Sequence, residues 1–129
     1  MPSVCFYFQV HQPFRLRHYT FFDIGQTHVY EDEEANRAIL AKVAEKCYLP
    51  TNRLLRDLIL RLKGRFKVSF SVSGAALDQF ERHQPEVLQS FVDLADTGCV
   101  EFLNETYYHS LAFLFSEQLY IAPYQRKEV

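Results

Sequence analysis

Three short polar clusters stand out in the sequence because each follows an apolar segment. His11 and Gln12 close the first segment, Ser73 and Gly74 close the second, and residues 105–109 follow the third. If the three segments are parallel strands joined by right-handed crossovers, their carboxyl ends lie at one edge of the sheet. Ligands of open α/β sheets and α/β barrels bind at that edge. We therefore expect the clusters to meet in one site.

The third cluster, residues 105–109, carries carboxylate, hydroxyl, phenol and imidazole groups, all of which can bind or react with a ligand. Glu101 and Glu105 share one side of the third strand, but four residues of extended chain separate them by roughly 13 Å. A retaining glycosidase needs about 5–5.5 Å between its two carboxyl groups, so the spacing does not favour this pair as catalytic. Tyr107 and Tyr108 could stack on sugar rings.

Hydrophobic patterning predicts the strands that position these clusters. Residues 4–10 are almost all apolar or aromatic, which is typical of a parallel strand covered on both faces. Pro13 cannot donate to a ladder and favours an extended Gln12, so the strand is expected to stop there. Residues 66–73 alternate strictly between an apolar and a mostly serine face. That polar face would line the interior of a closed barrel, or face water in a one-sided sheet.

Helices are predicted between the strands. An amphipathic pattern covers residues 33–47, Pro50 is expected to interrupt it, and a second helix then ends at Gly64. A short helix at residues 75–82 follows the second strand, and Pro85 begins another. The order of strand, helices, strand, helices, strand predicts repeated βα units with a parallel sheet, an α/β fold.

A polar and aromatic connection of about 20 residues, Phe14 to Glu34, separates the first strand from the first helix. Loops of this length are uncommon in compact domains and are often functional. Its alternating aromatic and cationic residues would suit the stacking of sugars or of nucleic-acid bases. The alternative is an Ω-loop that anchors its own aromatic side chains on the domain surface.

Composition excludes several classes of protein. The chain has 129 residues, enough for one domain with a core, and is 48% hydrophobic and 16% aromatic, which is typical of a globular protein. A net charge of −2 and a pI near 6.2 give no electrostatic footprint for nucleic acid. No apolar run approaches the roughly 20 residues of a membrane helix, and no secretory signal is evident.

The three cysteines, Cys5, Cys47 and Cys99, are odd in number and widely spaced, so neither a disulfide framework nor a zinc motif is predicted. Cys5 and Cys99 are expected to be buried thiols because they lie in or beside apolar strands. We expect a cytoplasmic, reduced protein without a cofactor or metal ion.

Two of the segments resemble glycoside hydrolase family 57, the α-amylase and glucanotransferase-like family. His11-Gln12-Pro13, at the end of a strand, resembles the first signature region. Residues 98–109, Gly-Cys-Val-Glu-Phe-Leu-Asn-Glu-Thr-Tyr-Tyr-His, resemble the second, with the glycine, the following Glu and the Tyr-Tyr-His close in the expected order. The resemblance extends over roughly residues 3–116.

The resemblance implies an incomplete, seven-stranded (β/α) barrel that hydrolyses or transfers α-glucosidic bonds of α-glucans or maltooligosaccharides with retention of configuration. By position it implies substrate-binding roles for His11, Gln12, Tyr108 and His109, and it makes Glu105 a further candidate. The family's catalytic Glu and Asp belong to signature regions C-terminal to these two. No catalytic residue is therefore assigned within this chain.

The chain departs from the family pattern after His109. Residues 116–129 match no family segment, and a (β/α) barrel usually needs about 250 residues. We therefore expect residues 1–129 to be the N-terminal portion of one catalytic domain, about three βα units, without activity by itself.

Two other interpretations remain open. The chain could be a non-catalytic α-glucan or partner-binding module. A polysaccharide deacetylase-like protein would need an Asp and two His as metal ligands; His11 and His109 could converge, but a His-x-x-x-His pair is absent. If no ligand binds, the two histidines are ordinary core or rim residues.

Overall fold

The computed structural model describes residues 4–111 of the protein. Three strands form one sheet in the order β1-β2-β3, with both pairings parallel. The strands are β1, Tyr7–Val10, β2, Val68–Val72, and β3, Val100–Leu103. The predicted α/β fold with a parallel sheet is confirmed. Most of the predicted apolar segment 111–115 and all of segment 116–129 lie outside the described residues.

Helices fill the two connections between the strands. Their bounds are α1, Glu33–Val43, a π-helical turn, Ala44–Tyr48, α2, Leu49–Arg61, α3, Gly74–His83, and α4, Pro85–Ala95. A 3-10 turn, Phe21–Asp23, lies in the long loop before α1. Within residues 4–111, no helix is long and apolar enough to cross a membrane.

The prediction that Pro50 interrupts the first helix is wrong. The backbone of Val43, Tyr48 and Leu49 is helical, so α1, the π turn and α2 form one continuous helical segment. A proline within a helix lacks one N–H and crowds the carbonyl four residues earlier. The π turn ends at Tyr48, two residues before Pro50, and the N–H of Leu49 donates to the carbonyl of Ala44. This locally wider backbone accommodates the proline ring.

The core lies between the helices and one face of the sheet. Phe8, Phe70 and Phe102 are register partners on that face, with ring centroids 5.3 and 5.9 Å apart. Phe70 also meets Phe91 of α4 edge-on at 5.4 Å, and Phe80 of α3 is fully buried. Offset and edge-to-face contacts of this kind are the favoured aromatic geometries, so the sheet and the helices have a well-packed common layer.

The opposite face of the sheet is polar and lies open in the described part of the chain. Tyr7 is 51% and Leu103 is 44% exposed there, so β1 is not covered on both faces as its apolar run predicted. Ser71 is nevertheless buried, because the hydroxyl of Tyr7 lies 2.7 Å from its Oγ. Cys5 is also exposed, contrary to expectation, whereas Cys99 is half-buried.

The long loop before α1 is closed by backbone hydrogen bonds. Leu16 and Glu31 form an antiparallel bridge, and the N–H of Arg17 donates to the carbonyl of Tyr30 at 2.9 Å. Asp23 braces the turn inside the loop: Thr20 donates to its carboxylate through both its backbone N–H and its hydroxyl. These contacts are the main cause of a lowered pKa of the Asp23 carboxyl. The loop is therefore a closed unit, as an Ω-loop would be.

Candidate substrate site

The ends of β1 and β2 and the segment after β3 converge at the carboxyl edge of the sheet. His11 follows β1 directly, and its Nδ1 lies 2.7 Å from Oγ of Ser73, which follows β2. The ring centroids of His11 and His109 lie 5.1 Å apart, tilted by 42°. The structure thus brings together side chains that are 98 positions apart in the sequence, as the parallel arrangement predicted.

His109 is held in place by two polar side chains. Oε1 of Glu105 is hydrogen-bonded to Nδ1 of the imidazole and also accepts from Nε2 of Gln9 at 3.2 Å. The Gln9 amide nitrogen lies 3.0 and 3.2 Å from the two ring nitrogens of His109. The Glu105 side chain is only 8% exposed, and its Oε2 has no hydrogen-bond partner within residues 4–111.

The backbone of His109 turns sharply to bring its ring back over the strand ends. Its φ of 51° lies in the left-handed region, and its N–H donates to the carbonyl of Thr106 at 3.0 Å. Such a conformation costs about 1–3 kcal/mol in a residue with a Cβ, and residues of this kind cluster at functional sites. The turn is the reason that His109 reaches His11.

Tyr107 ties this segment to the start of α3. Its carbonyl accepts a hydrogen bond from the N–H of Ala75 at 2.9 Å. Its ring lies directly over Gly74, where an added Cβ would stand 2.1 Å from Cδ2 of the tyrosine. Gly74 therefore permits the close approach of the Tyr107 ring to the start of α3. Tyr108 packs edge-on against Tyr107, with centroids 4.6 Å apart, and is 48% exposed.

Gln12 points away from these side chains, towards the helices. It is 7% exposed, and its Nε2 donates to the hydroxyl of Tyr48 at 3.0 Å. Arg15 donates to its Oε1 at 3.4 Å, and the fully buried Gln79 donates to its backbone carbonyl at 2.7 Å. Successive residues of an extended chain face opposite sides, so Gln12 supports the end of β1 from behind while His11 faces the site.

The electrostatic setting favours a neutral His11. Its partial burial lowers the pKa of the imidazole below the ordinary value, because the charged form is less well solvated. The nearby His109 lowers this pKa further, and Glu105 opposes the shift. Within residues 4–111, no group of three His, Cys, Asp or Glu side chains is arranged to hold a metal ion.

Sequence reasoning did not select Gln9, although it contacts His109. Ser73 was expected at the site as part of the second polar cluster, but its contact with His11 was not predicted. The period of two could have found Gln9, because it lies two residues before His11 on the same side of the strand. The contact between Ser73 and His11 follows from the register: Val10 pairs with Val72, so the next residues along the two strands face each other.

A parallel α/β sheet with imidazole, carboxylate and phenol groups at its carboxyl edge has the layout of the α/β proteins whose ligands bind at that edge. The family model of glycosyl hydrolase family 57 matches residues 5–127. The expectation that the family pattern is lost from residue 116 onwards is therefore wrong, because the match continues to residue 127. The chain therefore belongs to this family, and the resemblance seen in its two motifs is confirmed.

Two known proteins show how much of the family's length the chain spans. A curated protein of Methanocaldococcus jannaschii, named "Putative alpha-amylase", is 40% identical over 120 residues, which are 89% of this chain and 24% of that protein. The crystal structure of 4-alpha-glucanotransferase from Thermococcus litoralis has a similar fold, with a TM-score of 0.63 at 18% identity. The match covers 95% of this chain and 17% of that structure. The chain thus spans about a quarter of the curated relative's length.

Proposed function

We propose that this chain forms part of the sugar site of a retaining glycoside hydrolase that acts on α-glucosidic bonds of α-glucans or maltooligosaccharides. The observation that carries the proposal is the approach of His11 and His109 to 5.1 Å, beside a nearly buried Glu105, at the carboxyl edge of the sheet. The family membership and the names of the two relatives, an alpha-amylase and a 4-alpha-glucanotransferase, support it.

The side chains differ in their proposed roles. His11 donates a hydrogen bond to a sugar oxygen, and the half-exposed ring of Tyr108 stacks on a sugar ring. Glu105 is nearly buried and hydrogen-bonded to His109, so its main role is to orient this imidazole rather than to bind the sugar directly. Gln12 acts from behind by holding the strand end, because its amide is bonded to Tyr48.

We propose further that the chain by itself does not cleave glycosidic bonds. Retaining hydrolysis needs two carboxyl groups about 5–5.5 Å apart. Among the described residues of the site, Glu105 is the one nearly buried carboxylate, and Glu101 lies four residues earlier, a span of roughly 13 Å for an extended chain. The seven-stranded barrel and the remaining catalytic groups implied by the family belong to the same proposal.

A titration of the ¹⁵N-labelled chain with maltoheptaose, followed by NMR chemical shifts, tests the sugar site. We expect shifts centred on residues 9–11 and 105–109, and about tenfold weaker affinity for Tyr108→Ala, which corresponds to about 1.4 kcal/mol. Leu60→Ala is the matched control, because it removes a similarly exposed side chain from α2. The absence of saturable shifts at the strand ends would refute the proposal.

A second candidate, a non-catalytic α-glucan-binding module, is favoured by the exposed Tyr108 beside a single nearly buried carboxylate. The magnitude of the affinity separates the two. Part of an enzyme site makes only some of the contacts to its sugar, so its Kd should be about 1 mM, whereas a dedicated module should reach about 1 µM, a difference of about 4 kcal/mol. Turnover of maltooligosaccharides that Glu105→Gln abolishes would contradict the proposed lack of activity.

A further inference from the structure

We propose that Ser73 is a positioning residue that fixes His11 as the Nε2–H tautomer, so that His11 presents a hydrogen-bond donor at the carboxyl edge of the sheet. The hydroxyl of Ser73 lies 2.7 Å from Nδ1 of His11. That the acceptor opposite Nε2 is a sugar oxygen rests on the proposed function. The tautomer itself follows from the arrangement around Ser73.

Ser73 is the N-cap of α3, and this role determines where its single hydroxyl proton can go. Its Oγ accepts a hydrogen bond from the N–H of Ala76 at 3.3 Å, as an N-cap serine should. The residue is 0% exposed, so the proton cannot be given to bulk water. In the part of the chain that the structure describes, Nδ1 of His11 is the one acceptor within hydrogen-bonding distance of Oγ. A buried hydroxyl without an acceptor is unfavourable, so Ser73 donates to Nδ1.

A neutral imidazole has one protonated and one unprotonated nitrogen. Since Nδ1 accepts from Ser73, the proton of His11 is on Nε2. A second proton, on Nδ1, would place two donors against each other and leave the Ser73 hydroxyl without its acceptor. This disfavours the cation, in the same direction as the burial and the neighbouring His109 that lower the pKa of His11; Glu105 is the charged group that opposes them.

His109 is assigned the opposite tautomer by the same reasoning. An ionised carboxylate only accepts hydrogen bonds, so Nδ1 of His109 donates to Glu105. The amide nitrogen of Gln9 lies 3.0 Å from Nδ1 and 3.2 Å from Nε2 of this ring. Because Nδ1 carries the proton donated to Glu105, Nε2 is the nitrogen that accepts from Gln9. Both nitrogens of His109 are thus occupied, whereas Nε2 of His11 has no hydrogen-bond partner among residues 4–111. His11 is therefore the ring that offers a free donor to a ligand.

Long-range ¹H–¹⁵N correlation spectra of the ¹⁵N-labelled chain, recorded at neutral pH without sugar, test this assignment. The wild-type spectrum should show His11 protonated on Nε2, with His11→Gln used to identify its signals. Ser73→Ala should lower the ratio of Nε2–H to Nδ1–H tautomer about fivefold, the factor expected for one net hydrogen bond, whereas Ser73→Thr, which keeps the hydroxyl, should restore it. Asp32→Ala is the matched control, because it removes the N-cap of α1, where Asp32 accepts from Ala35 at 2.9 Å, without touching His11.

The proposal is overturned if wild-type His11 carries its proton on Nδ1, or if Ser73→Ala leaves the tautomer ratio unchanged. If Ser73→Ala does not fold, the proposal is tested by the wild-type chain and Ser73→Thr, both of which should show His11 protonated on Nε2. A second titration with maltoheptaose separates this proposal from the proposed function. An Nε2–H tautomer that sugar does not perturb would support the role of Ser73 and contradict the sugar site.

Discussion

Gly74→Ala is the substitution for which the structure and simple helix propensity predict opposite signs. Gly74 is the first residue of α3, and alanine is preferred to glycine in helix interiors by about 1 kcal/mol. Its φ is not in the left-handed region, so the backbone itself would tolerate a side chain. Propensity alone therefore predicts a small gain in the free energy of unfolding.

The Tyr107 ring reverses this expectation. An alanine Cβ would stand 2.1, 2.6 and 2.7 Å from three ring carbons, whereas carbon atoms pack at about 3.5–4.0 Å. The ring must move by more than 1 Å, which would also strain the hydrogen bond from Ala75 to the Tyr107 carbonyl. Overpacking of this kind typically costs about 1–3 kcal/mol. We expect Gly74→Ala to lower the free energy of unfolding by about 1–2 kcal/mol.

Urea unfolding of a double-mutant cycle measures the clash directly. In a Tyr107→Ala background the ring is absent, so Gly74→Ala should become neutral or stabilising by up to about 1 kcal/mol. In the otherwise wild-type chain, Gly74→Ala should also shift the NMR signals of His109, because displacement of the Tyr107 ring moves residues 107–109 together. Stabilisation of the wild-type chain by Gly74→Ala, or equal effects in the two backgrounds, would refute the reasoning.

Two further predictions concern the residues around the end of β1. The pKa of His11 is lowered in the folded chain, so the unfolded chain takes up a proton at higher pH, and folding is disfavoured as the pH falls below about 6.5. The difference in unfolding free energy between the wild type and His11→Gln should therefore narrow from pH 7 to pH 5. A difference that stays constant over this range would contradict the prediction. Gln79→Ala should cost about 2 kcal/mol, because it leaves the carbonyl of Gln12 without its donor and opens a cavity. Gln89→Ala, which removes an exposed amide bonded to Asp93, should stay within about 0.5 kcal/mol in the same urea assay.

Much of the fold was predictable because its signals are local. The period-two pattern around Val68–Val72 and the proline at the start of α4 each act over a few residues, and both elements form as expected. Pro50 shows the limit of such reasoning. A proline predicts a helix end, but a π turn beside it lets the helix continue, and a proline by itself does not distinguish the two outcomes.

The sequence predicted which residues form the candidate site better than it predicted how they are arranged. The sequence by itself placed His11 and His109 at strand ends, because residue types and the order of the strands can be inferred from it directly. The family motifs then identified both histidines as candidate site residues. Their tertiary contacts decided the rest: Gln12 turns to Tyr48, while Gln9 and Ser73 join the histidines. The physical reason is that a hydrogen bond between distant segments depends on register, on the face of each strand and on the left-handed turn at His109, which are settled only when the strands pair and the helices pack.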